Sequence, residues 1–432
     1  MMKTLLLSLL PPLLAATAFF PFVSGDRSTA SPKLPFDYHR CQCDCYVVSG
    51  PEPGYFENYA FWDFRRIPLP DRKVNVEQSD NSSNPLLLTK RRVHNSESEP
   101  QDTNSTNRTT MDDDEDDSST LLLSHTAFAY DWKPQKWHRH SNSVGPVPLL
   151  NSPENVFFAR NPLDEDDPES THLVLRATRF SDHTATAEIE HYLRNVFHCS
   201  LRVRMRVMSM ASVAQQPKLY GHYLPNNTTT QGSTVPSGAC AGIFIYRSST
   251  CESDIEILTS DPHTVVRYAN QPDYDPVTDT AIPEAGSIGI LSEPWTNPTT
   301  HRVDWLHDIS RWYANDELQA SKRYGVPSLP SIMAINLWSN GGNWTGDLSV
   351  GQSVYVGIEW IEFAYNTSLR FRNAPDDIVP VERHMRGPVA RSASEPESDD
   401  DVEALEEADR LSERKRGRQC RRPCYLDDVE YS

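Results

Sequence analysis

Apolar residues stand at every second position through much of this chain, and that period leaves little choice of fold. The clearest stretch is 196–210, VFHCSLRVRMRVMSM, where Leu201, Val203, Met205 and Val207 fall on one face and Arg202, Arg204 and Arg206 on the other. Successive side chains of a strand point to opposite sides, so this period predicts strands that pack one face on a core. The same alternation marks 155–160, 172–179, 187–207, 239–246, 251–258, 265–270, 302–305, 311–314, 332–338 and 354–363. Residues 43–67 open with a strand pattern, turn at Gly and Pro, and continue into an aromatic run that places Trp62 and Asp63 in the core. No helix longer than a few turns is expected before the last sixty residues. The expected class is all-β.

One strand carries chemistry. In CESDIEIL, 251–258, Glu252, Asp254 and Glu256 alternate with Ser253, Ile255 and Ile257, so three carboxyls share a face and the other face is small or apolar. Repulsion within such a row raises at least one pKa, and a protonated carboxyl beside an ionised one is the pair that cleaves glycosidic bonds. A solvated face of an antiparallel strand gives the same pattern without any chemistry, so the row needs context.

Two further blocks supply it. The row resembles the E-x-D-x-E signature of glycoside hydrolase family 16, the laminarinase and lichenase group. Residues 300–317, THRVDWLHDISRWYANDE, look like that family's paired strands ending in WYVDG, and 332–346, IMAINLWSNGGNWTG, look like its I-M-L-N-L-W-x-G-G-x-W-x-G block. The resemblance covers about 37–366 apart from an insertion. It implies a concanavalin A-like jelly-roll sandwich of two antiparallel sheets, with a concave face that binds β-glucan of β-1,3 or mixed β-1,3/1,4 linkage. It implies a retaining hydrolase, or a cell-wall transglycosylase, with Glu252 as nucleophile, Glu256 as acid/base and Asp254 between them. A carbohydrate-binding protein without turnover on the same fold is the rival from another class.

By the same resemblance Asn336 and Trp338 hold the sugar beside the scissile bond, Tyr268 and Asn270 add groove contacts, Trp344 reaches the ligand, and His301 matches as well. Core packing is the ordinary alternative for Trp338, Tyr268 and His301. Six of the nine tryptophans lie between Trp295 and Trp360, which suits sugar stacking and core packing alike; Trp305, Trp312 and Trp360 are read as core. No cofactor is required, and a structural calcium ion is allowed. Two departures stand out: many members carry Trp two residues before the nucleophile, where this chain has Thr250, and E-x-D-x-E predicts a strand without a bulge.

The remaining sequence sets the setting. A net charge of −19 disfavours nucleic acid and anionic membrane as partners. Residues 1–25 read as a secretory signal with cleavage near Gly25, so the expected protein is secreted, cell-wall associated or free, and monomeric. Sequons at Asn81, Asn104, Asn107, Asn226, Asn227, Asn343 and Asn366 fit export. Eight cysteines in an exported chain predict disulfides, with a metal cluster the alternative for Cys41, Cys43 and Cys45. Sequence does not assign the pairs, but Cys240 and Cys251, on two arms of a hairpin turning near 247–249, are not expected to pair. Residues 71–120 are polar and acidic and predict a disordered insertion; 373–432 predict a disordered charged tail with a dibasic Lys415-Arg416 site. If that site is cut, Cys420 and Cys424 would hold the last peptide on. The arginines at 202, 204 and 206 read as a solvent face or as partners of an acidic cleft.

Overall fold

The computed structural model describes residues 43–70, 120–164, 166–213, 233–368, 411, 415–417 and 419–428. The expected leader over 1–25, the insertion over 71–119, Cys41 and the sequons at Asn81, Asn104, Asn107, Asn226 and Asn227 lie outside the described residues. What is described is an all-β sandwich of two antiparallel sheets. The first sheet runs Gly286–Ile290, Val265–Asn270, Cys251–Leu258, Cys240–Ser248, Ile332–Trp338, Thr184–His191, Trp132–Pro134, each antiparallel to its neighbour. The second runs Glu317–Lys322, Ser310–Ala314, Thr299–Trp305, Val196–Met208, Ser353–Thr367, and the last of these is long enough to pair with both Thr171–Arg179 and Asn58–Asp63. Thr184–His191 belongs to both sheets, pairing at its start with Thr171–Arg179 and at its end with Ile332–Trp338, and so closes the sandwich along one side.

The alternation decides what lies between the sheets. Leu201, Val203, Met205 and Val207 from the second sheet meet Ile243, Ile245, Ile255 and Ile257 from the first in one apolar cluster, together with Trp305 and Trp312. Trp62 packs edge-on against Trp132 in the same cluster, while Asp63 stays half-buried and binds Arg65. Trp360 is buried too, but it stands opposite Arg204 on the outer face of the second sheet, against Phe61.

Four expectations change. The arginine row is neither solvated nor near the acids: Arg202 and Arg206 are buried on the outer face of the second sheet, and Arg202 binds Glu362 at 3.1 Å and Asp427 at 2.7 Å. Asp427 belongs to the expected disordered tail, yet Pro423–Tyr425 forms a strand parallel to Cys45–Val48, fixed by Cys43–Cys424 and Cys45–Cys420 disulfides. Those two bonds also remove Cys43 and Cys45 from any metal cluster. Cys199, Cys240 and Cys251 remain free buried thiols, so the eight cysteines are not all bridged, and Cys240 and Cys251 do not pair. The Asn366 amide is buried and committed, accepting from the Glu57 N–H and donating to the Tyr55 carbonyl, which leaves no room for a glycan in the folded chain. Asn343 is exposed. Among the described residues no helix is long and apolar enough to cross a membrane.

Candidate active site

Glu252, Asp254 and Glu256 occupy the third strand of the first sheet, and their register shows what surrounds them. The pairing with Cys240–Ser248 runs without interruption from Glu252 to Leu258, so this part of the strand carries no bulge, as its spacing predicts. Directly opposed residues of antiparallel strands share a face. One line across the sheet therefore reads Arg267, Glu256, Gly242, Asn336, Glu188, and the next reads Ala269, Asp254, Phe244, Ala334, Glu190. All of these side chains lie on the face away from the core. Gly242 is required here, because a Cβ would stand 2.1 Å from the Phe244 ring that lies across it.

Exposure falls along the row. Glu256 is half-buried beside Trp344, which is 40% exposed, whereas Glu252 and Asp254 are 4% and 3% exposed. Burial pushes the Glu256 pKa up to about 7, with the Asp273 charge adding to it and hydrogen bonds from Cys240 and Trp344 opposing. Those bonds run from the Cys240 thiol at 3.3 Å and the Trp344 indole N–H at 3.2 Å, both to Glu256 Oε1. Burial also raises Glu252 and Asp254 well above the usual carboxylate range. The Glu252 and Glu256 charges add to the rise of Asp254, and a hydrogen bond between Glu252 and Asp254 couples the two carboxyls. Gln271 adds a bond to Asp254 Oδ2 at 2.8 Å, reaching in from the loop after Val265–Asn270.

Of the other expected site residues, Asn336, Trp338 and Trp344 share the carboxylate face. Asn336 is buried, with its amide N–H donating to Glu188 Oε2 at 3.3 Å; Trp338 is 4% exposed and stands opposite Cys240. Tyr268, Asn270 and His301 do not belong to the site. Tyr268 and Asn270 stand opposite Ile255 and Ser253, the inward residues of the acid strand, so both point into the core. Asn270 is bound there by Ser253 and by the Tyr324 carbonyl. His301 is on the second sheet, opposite Val203, and burial pulls its pKa down to about 4. A period of two turns every one-residue error of face into the wrong side of the sheet.

Four residues were missed. Glu188 and Glu190 share the carboxylate face three strands from the row, roughly 14 Å away at the usual interstrand spacing. Burial and the Glu190 charge raise the Glu188 pKa to about 8, against bonds from Trp137 and Asn336. Their signal was in the sequence as E-x-E inside an alternating strand, the same cue as the row itself. Gln271 and Cys240 gave no such signal, because only the register brings them to the acids. For the allowed calcium ion, which takes oxygen ligands, no group of three or more His, Cys, Asp or Glu side chains among the described residues is arranged to hold a metal.

No family model matches the chain. Curated β-glucanases of Paenibacillus macerans and Paenibacillus polymyxa are each 26% identical to it over 69 residues, 16% of this chain and 29% of theirs. The matched stretch thus spans less than a third of those relatives. Among solved structures, a Bacillus licheniformis β-glucanase superposes with a TM-score of 0.40 at 15% identity, covering 57% of this chain and 98% of that one. A β-1,3-1,4-glucanase from a mouse hindgut metagenome gives a TM-score of 0.38 at 16% identity, covering 56% and 94%.

Proposed function

We propose that the protein is a secreted retaining glycosidase of β-glucan, with Glu252 as nucleophile and Glu256 as acid/base. Glu256 gives its proton to the leaving glycosidic oxygen while Glu252 attacks the anomeric carbon, forming a covalent glycosyl ester. Glu256, now ionised, takes a proton from water or from a sugar hydroxyl as that oxygen displaces Glu252. Water gives hydrolysis; a sugar hydroxyl gives transglycosylation. Asp254 holds the shared proton and so keeps Glu252 ionised without placing three negative charges side by side.

The observation that carries this is the common face of the three carboxyls on an unbulged strand, with Glu256 half-buried and its pKa raised to about 7. Retention needs the two glutamate carboxyls about 5 to 5.5 Å apart, whereas their Cα atoms in a straight strand are about 13 Å apart. Strand curvature and long side chains at both ends must close that distance, a reach that Asp at either end would lack. The paired bonds on Glu256 and the shared proton of the other two divide the labour that an acid and a nucleophile require.

Burial of Glu252 and Asp254, and Thr250 in place of a stacking Trp, favour one second reading, a glucan-binding face without turnover. Incubation with β-1,3-, mixed-linkage and β-1,6-glucans, followed by product analysis, separates the readings. New reducing ends mean hydrolysis, lengthened chains mean transfer, and binding without products means the idle face. Wild-type turnover that survives in Glu252→Gln contradicts the assignment.

A further inference from the structure

We propose that Cys240 is a positioning residue for Glu256, acting with Trp344 to fix which oxygen of the carboxyl carries the transferable proton. The inference rests on the reading of Glu256 as proton donor. Cys240 opens the strand beside the row, stands opposite Leu258 and Trp338, and is fully buried and free of any disulfide. Its Sγ lies 3.3 Å from Glu256 Oε1, and Trp344 Nε1 lies 3.2 Å from the same atom.

Both groups donate to the ionised carboxyl. An indole N–H has no acceptor site, and burial with the Glu256 charge beside it keeps the Cys240 thiol protonated. An oxygen that accepts two hydrogen bonds is a poor place for a proton, so the acid form of Glu256 carries its hydrogen on Oε2. Trp344 is itself held in place: the Arg267 guanidinium stacks 5.1 Å from its ring centroid, and Arg267 is fixed by two bonds to Asp261 at 2.8 and 3.1 Å. The carboxyl is thus gripped from two sides, by an exposed aromatic donor and a buried thiol.

The plain alternative is that Cys240 only fills space among Leu149, Leu258 and Trp338. A 13C titration of glutamate carboxyls in the full chain, with Glu256 assigned by Glu256→Gln, separates the two. Cys240→Ala is expected to raise the Glu256 midpoint by about half a pH unit, because a donor to the ionised form is lost. Cys240→Ser, which still donates, restores it. Trp344→Phe, at an exposed side chain, moves the midpoint the same way, and the double variant moves it further. The alkaline limb of the pH–activity profile follows the same order. An unmoved midpoint in Cys240→Ala, or in Cys240→Ser a shift as large as alanine's, overturns the proposal. Should Cys240→Ala not fold, the proposal stands if Cys240→Ser keeps the wild-type midpoint while Trp344→Phe raises it, and falls otherwise. The titration reads Glu256 whether or not glucan is cleaved, so an inactive wild type with shifting midpoints defeats only the enzymatic reading.

Discussion

The Val196–Met208 and Cys251–Leu258 strands each carry three like charges at alternate positions, and the protein treats them in opposite ways. On the outer face of the second sheet, Arg202 binds Glu362 and Asp427, Arg204 binds Glu359 at 2.9 Å, and Arg206 binds Asn161 at 2.7 Å. On the outer face of the first sheet, the bonds that reach Asp254 and Glu256 come from an amide, a thiol and an indole, all neutral. The cationic row is bonded into the scaffold, Arg202 and Arg204 to carboxylates and Arg206 to a neutral amide, and Arg202 clasps the C-terminal segment. The anionic row keeps its electrostatic tension and resolves it by holding protons. A row that is buried and left to share protons is a candidate for chemistry, and a row that is buried and matched is not.

The largest effect expected from this contrast is on turnover. Glu252→Gln should lower activity on glucan by about 10⁴-fold or more. Glu256→Gln should lower it by about 10²- to 10⁴-fold while sparing substrates with activated leaving groups, such as aryl glycosides, which need no proton. On the other face, Arg202→Ala should cost about 3 to 5 kcal/mol of stability in urea unfolding, because Glu362 is left buried without its cation. Its pH–activity profile should not move. Removing the Cys43–Cys424 bridge by paired serine substitution should cost about 2 to 4 kcal/mol, again without a change in profile.

The smallest effects separate the faces by sign. Glu188, with a folded pKa of about 8 above its ordinary 4.5, contributes stability that is full below pH 4.5 and is lost as pH rises through 8. Asp427 behaves the other way: despite burial, which pushes its pKa up, Arg302, the Ser49 N–H and Arg202 hold it below its ordinary 3.8. Its stabilisation is present above that value and is lost as pH falls below it. Thermal unfolding across pH should show Glu188→Gln flattening the decline between pH 4.5 and about 8, and Asp427→Asn flattening the loss below pH 3.8. Identical slopes in both variants would break the comparison.

The period-two alternation made the sheets legible, and the boundaries of Cys251–Leu258, Val265–Asn270 and Ile332–Trp338 coincide with those expected. What it did not reveal was register. Tyr268 and Arg267 are neighbours in sequence, yet only Arg267 stands beside Glu256, and nothing local to the strand says which of the two does. Contacts from far along the chain were hidden for the same reason: Cys240 and Trp344 meet at one oxygen of Glu256 only after three strands have paired. The tail misled because a short cysteine-bearing segment, 420–426, sits behind a long charged one. Its composition is dominated by its neighbours, and its order comes from two covalent bonds and one aspartate.

The account stands or falls on the stereochemistry of the first product. Proton NMR of a β-glucan digest, recorded before mutarotation, should show β-anomeric reducing ends from the wild type and no product from Glu252→Gln. Initial α-anomers, or an unchanged rate in Glu252→Gln, would contradict a covalent intermediate on this row.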